Sequence, residues 1–160
     1  MTIPPPSPNS FDTLALSAAA RDNLRRLGYL EMTAIQAASL PAALQGRDLI
    51  AQAKTGSGKT AAFALALLSK LDARRFDVQA LVLCPTRELA QQVAHDAIEL
   101  VKHCRGIRIA NVVGGIPYQI QIAKLQNANL VVATPGRLLD LQRSMQIKLD
   151  QVRFLVVDEA

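Results

Sequence analysis

An α/β fold with a mainly parallel sheet is predicted by three observations. Apolar runs without polar alternation, such as Ala80-Leu81-Val82-Leu83 and Leu130-Val131-Val132-Ala133, recur between helix-forming stretches. Strands read this way when helices cover both faces of a sheet, giving three layers. A glycine-rich loop at residues 53–60 joins the first apolar run to a helix. The residues with unusual chemistry follow the carboxyl ends of the strands, the edge at which ligands bind in such sheets.

Each element has its own local reason. Ser17 suits the N-cap of a helix that runs to about Leu27 and stops at Gly28, and Thr33 suits the cap of a second that runs to Leu44 and ends at Gly46. The pattern then alternates: strand 48–52, helix 58–71, strand 80–84, helix 87–102, strand 107–113, helix 117–126, strand 130–133, helix 135–143 and strand 154–157. Residues 1–10 have neither a basic start nor an apolar middle, so they read as a disordered arm of polyproline II character, with one ordered domain from Phe11 to Ala160.

Composition narrows the class. A chain of 160 residues, half of them hydrophobic, can bury roughly 70% of its unfolded surface in one domain. The net charge of +5, from 18 Lys and Arg against 13 Asp and Glu, suits a polyanionic partner without demonstrating one. Cys84 ends an apolar run and Cys104 ends a predicted helix, which fits thiols in a reducing cytosol better than a disulfide framework. His95, His103 and Cys104 share that helix, but two His and no Cys-x-x-Cys make a poor metal set. No apolar run approaches the ~20 residues of a membrane span, so a cytoplasmic protein is expected.

The loop Ala53-Lys54-Thr55-Gly56-Ser57-Gly58-Lys59-Thr60 is read as a phosphate clamp. Its glycines let successive backbone N–H groups turn toward one anion, and the helix that follows adds the positive end of its dipole. Lys59 supplies an ammonium and Thr60 a metal-binding hydroxyl, so a nucleoside triphosphate with magnesium is the expected ligand. Ala53 stands where the general pattern opens with glycine.

Asp158 and Glu159 follow the apolar strand 154–157. There a phosphate-loop enzyme holds one carboxylate on the magnesium shell and uses a second to orient or deprotonate the attacking water. Pro85-Thr86-Arg87 and Thr134-Pro135-Gly136-Arg137 each pair a helix start with a hydroxyl and a guanidinium. Two such anion-seeking ends outnumber what one nucleotide needs and suggest a nucleic-acid backbone, with ordinary capping as the alternative. Gly114-Gly115 would let that backbone approach closely and equally fits a plain tight turn. Gln36 can pair with adenine N6 and N7 while Tyr29 or Phe11 stacks on the ring; solvation of an early helical Gln is the other reading, and the sequence does not choose.

Together these residues resemble the first RecA-like domain of a DEAD-box RNA helicase over nearly the whole chain, from Phe11 to Ala160. Phe11 and Gly28-Tyr29 through Gln36 resemble the adenine-reading Q motif, and residues 53–60 the phosphate loop in the form that family uses, Ala53 included. Pro85-Thr86-Arg87-Glu88-Leu89-Ala90, Gly114-Gly115 and Thr134-Pro135-Gly136-Arg137 resemble its three RNA-backbone motifs, and Asp158-Glu159-Ala160 the name motif without its last Asp. Residues 28–90 are similar to the bacterial DbpA type and those after Ala110 to the bacterial RhlE type, which leaves the subfamily open. Met32 stands where most members have proline.

The resemblance implies ATP and Mg2+ as ligands, RNA as partner and a second RecA-like domain as the closing half. Lys59 would contact the β and γ phosphates, Thr60 and Asp158 would hold magnesium, and Glu159 would orient the water. It also implies that these 160 residues alone form an incomplete sheet, lacking the strand that separates the phosphate-loop strand from that of Asp158. Negligible ATPase, no unwinding and marginal stability are therefore expected of the chain by itself. A non-catalytic ATP- or RNA-binding module is the competing reading.

Overall fold

The computed structural model describes residues 1–159; Ala160, the last residue of the Asp158-Glu159-Ala160 run, lies outside the described residues. The chain divides into two compact units, one formed by Met1–Lys70 with Glu99–His103 and one by the remaining described residues.

The first unit is helical. A 3-10 turn, Phe11–Thr13, leads to α1 (Ala18–Arg26), α2 (Ala34–Leu44) and α3 (Lys59–Lys70). Ser17 caps α1 as expected, its hydroxyl accepting the Ala20 N–H at 3.1 Å. Gly28, at φ +86°, turns the chain so that the Tyr29 N–H returns to Leu24 O at 2.9 Å. Helices α2 and α3 pack together, and α3 buries Ala61, Ala62, Ala64, Leu65, Ala66 and Leu67; the alanines let the two backbones approach closely. Asn23, buried on α1, donates to the carbonyls of Glu99 and Leu100 at 3.0 and 3.1 Å, satisfying groups that a helix end leaves open.

Tertiary contacts of the arm begin ahead of Phe11. Ser10 bridges Glu31, and the Met32 N–H donates to Asn9 O at 2.7 Å. Proline at position 32 could not make that bond, so the departure at Met32 ties the arm down where a proline would leave it unpaired. Met1 through Pro6 are exposed.

The strand expected at 48–52 does not form: the segment has no ladder, and Leu49 and Ile50 are 47% and 104% exposed. Sequence pattern marks the segment as strand-compatible, but a strand exists only through a hydrogen-bonded neighbour, and no described strand pairs with it.

The second unit carries the sheet. It runs β1 (Ala80–Leu83), α4 (Arg87–Val101, whose last turn belongs to the first unit), β2 (Ile109–Val112), α5 (Tyr118–Leu125), β3 (Leu130–Ala133), α6 (Pro135–Arg143) and β4 (Phe154–Val157). The four strands are all parallel in the order β2-β3-β1-β4, with Ala80 level with Leu130 and Phe154, and Ile109 level with Leu130. All of β3 is buried, as a run apolar on both faces requires. One core joins Leu81, Ala110, Val112, Val131 and Ala133 of the sheet to Leu138 and Leu141 of α6. Helix α4 stops at Val101, so His103 and Cys104 lie beyond it, in the turn before β2.

Strand β4 is at the sheet edge and shows alternating exposure, with Leu155 59% and Val157 54% exposed. Such an edge offers unpaired backbone groups beside apolar side chains, a template for association. At the other end of the strands, Asn129 is fully buried: its Oδ1 accepts the Arg108 N–H at 2.7 Å and its Nδ2 donates to Arg75 O at 2.6 Å.

Candidate functional site

In the first unit, the loop before α3 has the backbone of an anion clamp. Gly56 and Gly58 sit at φ +81° and +91°, conformations that a side chain disfavours and that aim successive N–H groups to one side. Ala53, Lys54, Thr55 and Ser57 complete the loop, closed by the Ser57 N–H on Lys54 O at 3.2 Å, and Lys59 and Thr60 open α3. The Ser57 hydroxyl is buried without a hydrogen-bond partner, a polar group poised for a ligand.

Gln36 sits in the first turn of α2 and is 1% exposed, which removes the reading of a solvated amide. Its Oε1 accepts the Thr33 N–H at 2.9 Å, half of a capping box, and its Nε2 donates to Gly58 O at 3.1 Å. One side chain therefore ties the start of α2 to the phosphate loop. A carboxamide carries four hydrogen-bonding positions, so these two bonds leave one N–H and one lone pair unused by them. Gly58 leaves no room beside it: a Cβ there would lie 2.5 Å from Gln36 Nε2 and 3.0 Å from Thr33 Oγ1. Phe11 is 3% exposed and meets Tyr29 edge-on, ring centroids 6.2 Å apart, so Phe11 supports while the partly exposed Tyr29 is the ring able to stack.

In the second unit the predicted residues gather at the carboxyl ends of the strands, as expected for parallel sheets. The Asp158 N–H donates to Leu83 O at 2.9 Å, fixing the end of β4 to β1, and Asp158 is 9% exposed. Its Oδ1 accepts the Glu159 N–H at 3.0 Å, and Glu159 is held at φ +56°. That left-handed conformation costs a non-glycine residue ~1–2 kcal/mol. Next to them, burial and then the charge of Asp158 push the Cys84 thiol up to about 11, so it stays protonated and inert near neutral pH.

Thr86 caps α4, its hydroxyl accepting the Leu89 N–H at 3.2 Å, while Thr134 precedes Pro135 at the start of α6 and makes no side-chain cap bond. Pro85, Pro135 and Gly136 are exposed beside them. Arg87 donates to Gly114 O at 3.3 Å and Arg137 to Ile116 O at 3.2 Å, so one turn anchors both guanidinium groups. Arg87 Nη1 lies so close to Gly115 that a Cβ there, at φ +82°, would overlap it. Replacing Gly115 with alanine is therefore expected to displace Arg87 from its bond to Gly114 O. NMR of the Arg87 side chain in the unaltered and Gly115→Ala chains checks this, and an unchanged Arg87 signal would refute it.

The sequence reading missed two residues of this edge. Gln121, 1% exposed on α5, donates to Val113 O at 3.0 Å and braces the same turn from within. Tyr118 packs its ring against Arg137, whose Cζ lies 5.5 Å from the ring centroid. The only available signal was their position in the helix directly after Gly114-Gly115.

A DEAD/DEAH box helicase family model matches residues 33–160. Among curated proteins, the chain is 52% identical to the ATP-dependent RNA helicase DbpA of Escherichia coli K12, covering 94% of this chain and 34% of that protein. It is 45% identical to the ATP-dependent RNA helicase DeaD of Klebsiella pneumoniae, covering 94% of this chain and 24% of that protein. Among solved structures it is similar to a DEAD box protein from Methanococcus jannaschii, with TM-score 0.87 and 38% identity over 92% of this chain and 40% of that one. It is also similar to S. cerevisiae Dbp5 L327V bound to RNA and ADP BeF3, with TM-score 0.85 and 33% identity over 94% of this chain and 38% of that one. The chain thus spans about a third of the length of the first of these curated relatives.

Proposed function

The chain belongs to the DEAD/DEAH box helicase family, and from that premise we propose that it is the ATP-binding RecA-like part of an ATP-dependent RNA helicase. The observation that carries the nucleotide half is the amide of Gln36 bonded to Gly58 O, which joins a base-reading side chain to the phosphate loop. In this reading adenine stacks on Tyr29 and is read by the remaining hydrogen-bonding capacity of Gln36. The 53–60 loop wraps the phosphates, and Lys59 neutralises the β and γ groups.

The Thr60 hydroxyl and the Asp158 carboxylate are each hard oxygen donors of the kind Mg2+ takes, and in this reading both would hold the ion, which when bound would neutralise charge developing on the phosphate oxygens. Glu159 orients the attacking water in line with the leaving group. Thr86, Arg87, Gly114, Gly115, Thr134 and Arg137 take RNA through its backbone, so binding is indifferent to sequence and falls with salt. Closure by a second RecA-like domain would couple hydrolysis to local strand separation. No described helix is long and apolar enough to cross a membrane, and free thiols at Cys84 and Cys104 fit a cytoplasmic setting.

Thermal unfolding of the chain alone, with Mg-ATP and with Mg-GTP tests the nucleotide half. Ligand at a hundredfold excess over Kd adds about 2.7 kcal/mol of stability. A shift with ATP and none with GTP is expected; equal shifts would remove Gln36 as the base reader, and none with either would overturn the reading.

A further inference from the structure

The turn between β2 and α5 holds more than its two glycines suggest. Three of its carbonyls accept from three side chains on different helices: Val113 from Gln121, Gly114 from Arg87 and Ile116 from Arg137. Arg137 is restrained twice, since one edge is bonded at Ile116 O and one face lies over the Tyr118 ring. Tyr118 is fixed in turn. Its hydroxyl donates to Ser144 Oγ at 2.7 Å, and that hydroxyl donates to Asp140 O at 2.8 Å, so the start of α5 is locked to the end of α6.

An arginine side chain that must freeze on binding loses rotamer entropy, and one already frozen does not. A guanidinium has five N–H donors, and the bond to Ile116 uses one. The geometry points to Tyr118 as a positioning residue: its ring presets the Arg137 guanidinium with its remaining donors directed for an RNA phosphate. This rests on the reading above in which Arg137 contacts RNA. Tyr118 itself need not touch the nucleic acid.

A double-mutant cycle on the 160-residue chain tests it, with a short fluorescent poly-uridine RNA at low salt as probe. Tyr118→Leu is expected to weaken binding about threefold to tenfold, the scale of one cation–π contact, and Tyr118→Phe, which keeps the ring, by less. In an Arg137→Gln background Tyr118→Leu should have no further effect. The same loss in both backgrounds, or none in the original chain, overturns the proposal, because a purely structural tyrosine would act without Arg137.

A second readout needs no RNA. The Arg137 Cδ protons should show an upfield ring-current shift by NMR, kept in Tyr118→Phe and lost in Tyr118→Leu; identical shifts in all three chains would also overturn it. If the unaltered chain fails to bind the RNA at all, the RNA-binding reading falls and this role falls with it. Binding without coupling removes the role of Tyr118 alone.

Discussion

Gly58→Ala is expected to abolish the stabilisation by Mg-ATP and to lower the stability of the chain by about 2–3 kcal/mol. Two causes add. At φ +91° an alanine pays the ~1–2 kcal/mol of left-handed backbone. The new Cβ, 2.5 Å from Gln36 Nε2, must also displace that amide and its bond to Gly58 O, worth about 1 kcal/mol. Relief by moving the loop would misaim the N–H groups of residues 56–60, so ligand affinity falls with stability. Gly28→Ala separates the two causes, since Gly28 has φ +86° with nothing within 4 Å of its Cβ position. That variant should lose stability through the backbone alone and keep the full shift with Mg-ATP. Thermal unfolding of both, with and without nucleotide, decides: a Gly58→Ala chain still stabilised by ATP would show that the loop tolerates a side chain there and that the Gln36 link is dispensable.

Asn129→Leu should be the most damaging substitution remote from the site. The leucine is of similar size, but it leaves the Arg108 N–H without its partner and Arg75 O with only the 3.4 Å bond from Gln79 Nε2, where Asn129 now serves them at 2.7 and 2.6 Å. A buried group left unsatisfied costs about 1–3 kcal/mol, so with both groups part-buried and one still accepting from Gln79 the loss is roughly 2–4. That is a large share of the ~5–15 kcal/mol that holds a typical domain. At about 2–4 °C per kcal/mol for a chain of this size, the unfolding midpoint should fall by roughly 10 °C. The backbone of Asn129 adds to the consequence, because its N–H donates to Arg108 O and its carbonyl accepts from Gln79 and Ala80, joining the starts of β1 and β3. A midpoint lowered by less than about 2 °C would mean that water replaces the amide there and that the strand starts are held by their backbone alone.

Local chemistry fixed most of what the sequence disclosed. Helix ends at Ser17, Gly28, Thr33 and Gly46 were legible because caps and left-handed glycines act over a few residues. So were four of the five strands, three of them unbroken apolar runs, and the glycine, lysine and threonine of the 53–60 loop, whose spacing points to a phosphate ligand, while the residues after the other strands point to RNA only through the family resemblance. Tertiary structure decided the rest, because each remaining point depends on a partner distant in the chain. Residues 48–52 have the pattern of a strand and no neighbour to make them one. Gln36 is a bridge to Gly58 rather than a solvated amide because residues 22 positions apart meet. Phe11 supports Tyr29 because packing buries it, Tyr118 and Asn129 matter for the guanidinium and backbone groups they hold from far along the chain, and Gln121 for a carbonyl eight positions back, none of which sequence spacing can show.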